Sequence, residues 1–354
     1  MSITKETGPI LVTGATGYIA SWVIKKLLEQ GRTVHATVRD LNKKQSFKHL
    51  LQIADETSGD LHLFQANLLD EGSFDTAMKD CEIVIHMASP FLVTNFKDPI
   101  KELIDPAIKG TENVLNSVNR TPSVKRVVVT SSIAATYSDA IDILNTQNNC
   151  FDESHWNNTS SAEHQPYYYS KVAAERKAWE MQIAQSRWDL VCVNPALVIG
   201  PSLTPMTKSG SVEVLQQFGN GMTLLGVPKM WNGLVDVRDV ADAHLTAAFS
   251  EKAKGRYIIC AKSLTLLEMG KVLRQHFGFR YPFPRNHAPK TLFKLLGPFV
   301  GHSRKYVELN VGYPLYFNAQ KSINELGMVY RNVETSLVEH FQQLIDDGIV
   351  KKRG

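Results

Sequence analysis

Residues Ile10–Ala20 read ILVTGATGYIA. Three consecutive apolar residues, Ile10, Leu11 and Val12, predict a strand buried on both faces. The chain then turns through Gly14 and Gly17 into SWVIKKLLEQ, where Trp22, Val23, Leu27 and Leu28 fall near helical spacing. A strand, a glycine turn and a helix form a site for a dinucleotide pyrophosphate. Glycines let the backbone approach the phosphates, and the unpaired N–H groups at the helix start face the anion. Gly14, Thr16, Gly17, Tyr18 and Ile19 are therefore candidates for cofactor contact. The alternative for the same pattern is a plain tight turn between strand and helix.

Working outward, Gly31 ends the helix and Thr33–Val38 (TVHATV) predicts a second strand. An NAD enzyme usually places a carboxylate at that strand end for the ribose 2′-hydroxyl. Here Arg39 follows Val38, with Lys43 and Lys44 close behind. A guanidinium would hold a 2′-phosphate through charge-assisted bonds worth roughly 1.5–3 kcal/mol, which points to NADP(H). Asp40 could instead serve the hydroxyl.

Leu61–Phe64 predicts a third strand, followed by Asn67-Leu68, where Asn67 either meets the adenine edge or stabilises a turn. Ile83–His86 predicts a fourth, leading into Met87-Ala88-Ser89-Pro90 over the cofactor; a lone His86 at a strand end reads as structural. Asp105-Pro106 is expected to cap and open a helix. Arg126–Thr130 (RVVVT) is apolar enough for a central parallel strand. Strands alternating with helices imply a doubly wound parallel sheet, whose ligand crevice lies at the carboxyl ends of the strands.

The reacting groups are read from Tyr167-Tyr168-Tyr169-Ser170-Lys171, which opens a helix after Pro166. Tyr167 and Lys171, at i and i+4, project from one face. Reducing a carbonyl needs a proton for the oxygen as hydride reaches the carbon. A phenol with an ordinary value near 10 is a poor donor partner at neutral pH, and a neighbouring ammonium is expected to lower it. Ser132, after Thr130-Ser131 at a strand end, would donate to the substrate oxygen. A packed aromatic beside a solvated lysine is the bland alternative.

TGATGYIA, VRD, HMASP, VVVTSS, YYYSK, VNPALVIGP and VDVRDVADAH together resemble the extended short-chain dehydrogenase/reductases. Within them the chain looks like the dihydroflavonol 4-reductases, cinnamoyl-CoA reductases and microbial aldehyde or ketone reductases. The resemblance implies a Rossmann-type fold with a smaller, mostly helical C-terminal substrate lobe. Residues 1–199 and 234–260 would form the first, and 200–233 and 261–354 the second. It implies Ser132, Tyr167 and Lys171 as the catalytic trio. It assigns NADPH to Gly14, Gly17 and Arg39, with Asn67, Leu68 and Ala88 along the adenosine side and Met87 and Ser89 also at the cofactor. Pro195 and Val198 would flank the nicotinamide, and Ser211 would contact the cofactor. The chain departs from the pattern in three places. Ala20 replaces a third glycine, Asn67 replaces a customary aspartate, and Tyr137 stands where plant flavonoid reductases carry a substrate-binding asparagine. The NWYCYGK-like signature of cinnamoyl-CoA reductases is absent, so neither plant substrate is assumed.

Residues 200–231 are rich in Gly, Pro, Ser and Thr and are expected to wall the nicotinamide. Phe91, Tyr137, Met206 and Trp231 are the candidate pocket aromatics and apolars, implying an apolar or aromatic carbonyl substrate. Arg238 and Asp239 are expected to tie the two halves by ion pairs. A 3β-hydroxysteroid dehydrogenase or an NAD-dependent nucleotide-sugar epimerase on the same fold is the second enzyme reading, and a non-catalytic NADP(H) sensor the third. Arg39 disfavours the epimerase, and the retained tyrosine and lysine disfavour the sensor.

At 354 residues, 43% apolar and 21% charged, the composition is that of an ordinary globular protein. A net charge of +4 with scattered basic residues gives no support for nucleic-acid binding. Apolar runs fall short of the ~18 residues of a membrane span, the polar start shows no signal peptide, and four dispersed cysteines suit a reducing cytoplasm. No metal site is expected, and the chain would act as a monomer or homodimer.

Overall fold

The computed structural model of the chain describes residues 8–90, 97–205, 209–224, 226–297 and 303–353. The strands, in chain order, are β1 (Ile10–Val12), β2 (Thr33–Val38), β3 (Asp60–Gln65), β4 (Ile83–His86), β5 (Arg126–Thr130), β6 (Asp189–Pro195), β7 (Leu197–Ile199), β8 (Trp231–Asp236), β9 (Gly255–Ile259) and β10 (Lys262–Thr265). Seven of them form one sheet in the order β3-β2-β1-β4-β5-β6-β9, paired in parallel throughout. Chain order reverses between β1 and β4, so the crossovers leave a crevice at the carboxyl ends of those two strands.

All residues of β1 and β4 are buried, as parallel strands covered on both faces must be. One face carries the helices Tyr18–Glu29 and Val237–Phe249, which pack on each other over Ile10, Val12, Val128 and Val193. The other carries Asp105–Arg120 and Pro166–Ile183 over Leu11, Val84, Val127 and Cys192. Asp105 is not the expected cap. A five-residue π-helical turn, Ile100–Ile104, precedes it, so Asp105 already has helical angles, and its carboxylate pairs with Lys109 at 3.0 Å.

A second sheet, β10-β8-β7, has no counterpart in the sequence reading. It packs with the helices Gly210–Asn220, Leu266–Phe277 and Val333–Asp346 around Leu215, Leu234 and Leu264, and around Phe277, Tyr281 and Phe283, which surround Phe341 at 5.0–5.2 Å. Arg238 and Asp239 bind this body to the large sheet through ion pairs. Arg238 bridges Asp236 (2.7 Å) and Glu339 (2.6 Å), and Asp239 pairs with Arg331. Among the described residues no helix is long and apolar enough to cross a membrane, and no cluster of three or more His, Cys, Asp or Glu is placed to hold a metal.

Candidate active site

The glycine turn is built for close approach. Gly14 adopts φ +70°, and a Cβ there would stand 2.8 Å from the Ala88 Cα, so the turns after β1 and β4 lie backbone against backbone. Thr13 joins them, accepting from the Met87 and Ala88 amides at 3.0 Å each. Its own proton is then left for His86 Nδ1 at 2.8 Å. Burial, followed by the Lys171 charge, pushes His86 down to about 4, so it is neutral and structural at pH 7. Gly17 starts the helix Tyr18–Glu29 with no side-chain cap and no acidic residue in the first turn. Its first amides are therefore open to an anion. Thr16 and Gly17 are exposed there, and Ile19 lines the adjoining cavity. Tyr18 lines it too, but its hydroxyl is committed to the Gly200 carbonyl at 2.5 Å.

At the end of β2, Arg39 is exposed, as are Lys43 and Lys44. Asp40 turns back on its own loop, accepting from the Asn42 amide at 2.9 Å and approaching Lys43 at 4.0 Å. Asn67 supports a turn: its side-chain oxygen accepts from Leu69 N at 3.3 Å, and its backbone N–H donates to Ser73 Oγ at 3.2 Å. Leu68 packs beside Gly110 of the helix Asp105–Arg120.

Beyond β4 a cavity of about 400 Å³ opens over the carboxyl ends of β5 and β6. Ser132, Tyr167 and Lys171 all line it, with Met87, Ser89, Pro195, Val198 and Ser211 around them. The Ser132 hydroxyl is hydrogen-bonded to the Tyr167 phenol. Lys171 Nζ donates to Ser89 Oγ at 3.0 Å and stands 5.6 Å from the centre of the Tyr167 ring. Burial raises the Tyr167 phenol above its ordinary value, Tyr168 adds to this, and the Ser132 bond works against it. Burial alone brings Lys171 down to about 8. The expected lowering of Tyr167 by the ammonium is not what this geometry produces, because Lys171 is aimed at Ser89 and the ring face.

Asp139 sets the start of the helix Pro166–Ile183. This buried carboxylate accepts from His164 Nε2 (2.5 Å), Asn310 Nδ2 (2.6 Å) and Gln165 Nε2 (3.2 Å). Gln165, directly before Pro166, is thereby held at φ 59°, a conformation costly for a non-glycine residue. Tyr137 lines the cavity, with its hydroxyl 3.3 Å from that of Tyr168 and its ring packed on Phe151 and Phe317. Trp231 does not line it. Its indole packs into the core and beneath Lys229, and the following Asn232 and Gly233 face the cavity instead. Phe91 and Met206 lie outside the described residues. Ser211 bonds Ser209 at 2.9 Å, and the Ser209 side chain caps the helix Gly210–Asn220. Tyr168, Asn232 and Asp139 escaped the sequence reading; no local pattern marks them.

The model of the NAD dependent epimerase/dehydratase family matches residues 10–260. The chain belongs to that family. Cinnamoyl-CoA reductase of Medicago truncatula is 36% identical to this family member over 346 residues, covering 97% of this chain and 98% of that one. Anthocyanidin reductase of Arabidopsis thaliana is 38% identical over 286 residues, 77% of this chain and 80% of that one. Among solved structures, the yeast methylglyoxal/isovaleraldehyde reductase Gre2 complexed with NADPH is similar at a TM-score of 0.77 and 25% identity, covering 96% of this chain and 98% of that one. The family member is an NAD(P)-dependent reductase of the extended short-chain dehydrogenase/reductases.

Proposed function

We propose that the enzyme reduces an aldehyde or ketone with NADPH, Tyr167 acting as the general acid. The observation that carries this reading is the convergence of Ser132, Tyr167 and Lys171 on one cavity beside the glycine turn. The residues suit NADP(H). The Gly14 turn has no room for a side chain, the helix at Gly17 offers uncapped amides to a pyrophosphate, and Arg39 faces solvent with its neighbouring carboxylate turned away. Gly14, Thr16, Gly17 and Ile19 would hold the pyrophosphate side, and Arg39, Lys43 and Lys44 the 2′-phosphate. Leu68, Met87, Ala88 and Ser89 would line the path between them, and Pro195, Val198 and Ser211 would bound the nicotinamide pocket. Lys171, on the same face as Tyr167, would hold the nicotinamide ribose.

Held by these residues, NADPH would supply the hydride that the carbonyl carbon accepts. Ser132 donates to the carbonyl oxygen and fixes its orientation. Tyr167, protonated at neutral pH, gives its proton to that oxygen as the alkoxide forms, and is reprotonated from solvent. The forming alkoxide is far more basic than the phenolate, so the proton moves to the alcohol oxygen. Oxidation of an alcohol would need the phenolate and so a higher pH.

Among the described lining residues Lys171 is the one charged side chain. The substrate is accordingly a neutral, apolar or aromatic carbonyl compound, with Tyr137 in the wall. A nucleotide sugar would bring phosphates to a cavity offering no second cation among those residues. We place the enzyme in the cytoplasm as a monomer or homodimer. Absorbance at 340 nm, followed with NADPH and a panel of uncharged aldehydes, ketones and dihydroflavonols, tests the reading. Turnover of uncharged carbonyls is expected, and a protein inert across the panel would refute it.

A further inference from the structure

Behind the trio lies a buried polar cluster that the reduction does not use. Glu175 sits four residues after Lys171 and eight after Tyr167, on the same helical face. Its side chain is fully buried and pairs with Arg256, itself only 7% exposed, at 2.6 Å. The other carboxylate oxygen accepts from the Ser131 hydroxyl and from Asn194 Nδ2 at 2.8 Å. Asn194 Nδ2 also donates to the Ser132 carbonyl at 3.1 Å. Arg256 spends its remaining donors on the carbonyls of Glu153 (2.9 Å), His155 (2.6 Å) and Ala135 (3.3 Å), with its guanidinium 3.9 Å over the Trp156 ring.

One carboxylate thus ties together the ends of β5, β6 and β9 and the helix that carries Tyr167 and Lys171. Ser131 and Asn194 are the immediate neighbours of Ser132 and Pro195. An apolar core would hold these elements together without two buried charges, whose desolvation offsets much of their attraction. What the pair adds is direction. Each of its bonds fixes a donor at a set angle, and together they set Ser132 against Tyr167 across two elements with no covalent link nearby.

We propose that Glu175, held by Arg256, is a positioning residue for the reduction, aligning the Ser132 hydroxyl with the Tyr167 phenol and Lys171. The inference rests on the carbonyl-reductase reading. Misplacing a donor by an ångström can cost on the order of a hundredfold in rate. It should therefore show in kcat rather than in cofactor affinity.

Three variants test it: Ser131→Ala, Glu175→Gln and the double variant Glu175→Met/Arg256→Met. For each, kcat and KM for a carbonyl substrate, the NADPH dissociation constant by fluorescence, the melting temperature, and the isotope effect with NADPH deuterated at the transferred hydride are measured. Ser131→Ala, which removes one tether and strands no charge, is expected to keep its melting temperature and its NADPH affinity within about twofold while kcat falls about tenfold. Glu175→Gln leaves Arg256 unpaired, and both melting temperature and kcat should fall. The double apolar variant should recover the melting temperature yet stay at least tenfold slow, with a larger isotope effect because hydride transfer has become limiting. Wild-type kcat in Ser131→Ala, or in a well-folded double variant, would overturn the proposal. If the double variant does not fold, Ser131→Ala decides alone. A wild type that turns over while Tyr167→Phe does not, alongside fast network variants, fails this proposal only. A wild type inert toward every carbonyl fails the reductase reading and takes the alignment with it.

Discussion

Replacing Lys171 by Met should stabilise the fold while abolishing turnover, and the size of the gain follows from the site. Burial brings the ammonium down to about 8. Relative to an ordinary lysine near 10.4, that costs the charged form roughly 3 kcal/mol. Part of the side chain faces the cavity, which reduces the figure, and losing the 3.0 Å bond to Ser89 removes about 1 kcal/mol. Methionine keeps the stem's packing, so a net gain of about 1–2 kcal/mol at pH 7 remains. The gain depends on pH in a defined way. Below pH 8 lysine is charged in both folded and unfolded chains, and the wild type carries the whole penalty. Between pH 8 and about 10.4 the unfolded chain binds a proton the folded one has lost, so wild-type stability rises and the gap closes. Thermal melts of both proteins at pH 7 and pH 10, without cofactor, read this directly. The variant should melt a few degrees higher at pH 7 and level with the wild type at pH 10. A variant that melts lower at pH 7, or keeps the same gap at both values, would refute the claim that burial strains this charge.

Arg39→Ala should raise KM for NADPH about tenfold and leave that for NADH nearly unchanged, since an exposed guanidinium contributes chiefly through its bonds to the 2′-phosphate; equal changes for the two cofactors would remove the assignment. Gly14→Ala forces a Cβ to within 2.8 Å of Ala88 at φ +70°. It should cost on the order of 2 kcal/mol of stability and weaken dinucleotide binding measured by fluorescence, whereas wild-type affinity would show the turn is not the phosphate cradle. Arg238→Met strips the buried Asp236 carboxylate of its charge partner and should destabilise by about 3 kcal/mol in denaturant titration. Glu339→Gln, at the exposed arm of the same arginine, should cost under about 1 kcal/mol. Similar losses for both would contradict the distinction.

The features legible in the sequence are those whose cause is local. β1, Gly14 and the helix Tyr18–Glu29 lie within one continuous stretch, Ile10 to Glu29, whose apolar run, positive-φ glycine and helical spacing sit side by side. Tyr167 and Lys171 share a helical face by spacing alone. What escaped the sequence depends on distant partners. Glu175 meets Arg256 across 81 residues, and Tyr18 gives its hydroxyl to Gly200 across 182, so nothing in the local pattern marks either. β7 and β10 are three and four residues long, too short for alternation to declare itself. Trp231 illustrates the limit for aromatics. Its position at a strand start does not say which side of the strand the cavity lies on. Asp105 is no cap because the turn before it continues the helix, and a cap is defined by what precedes it.

Tyr167→Phe measures the central claim most directly. NADPH binding by fluorescence and carbonyl-dependent loss of absorbance at 340 nm are read on the same preparation. The variant should bind NADPH as the wild type does and lose at least a hundredfold in kcat, the scale of a general acid's contribution. Retention of most of the wild-type rate would mean that another group delivers the proton, and the chemistry assigned to this cavity would be wrong.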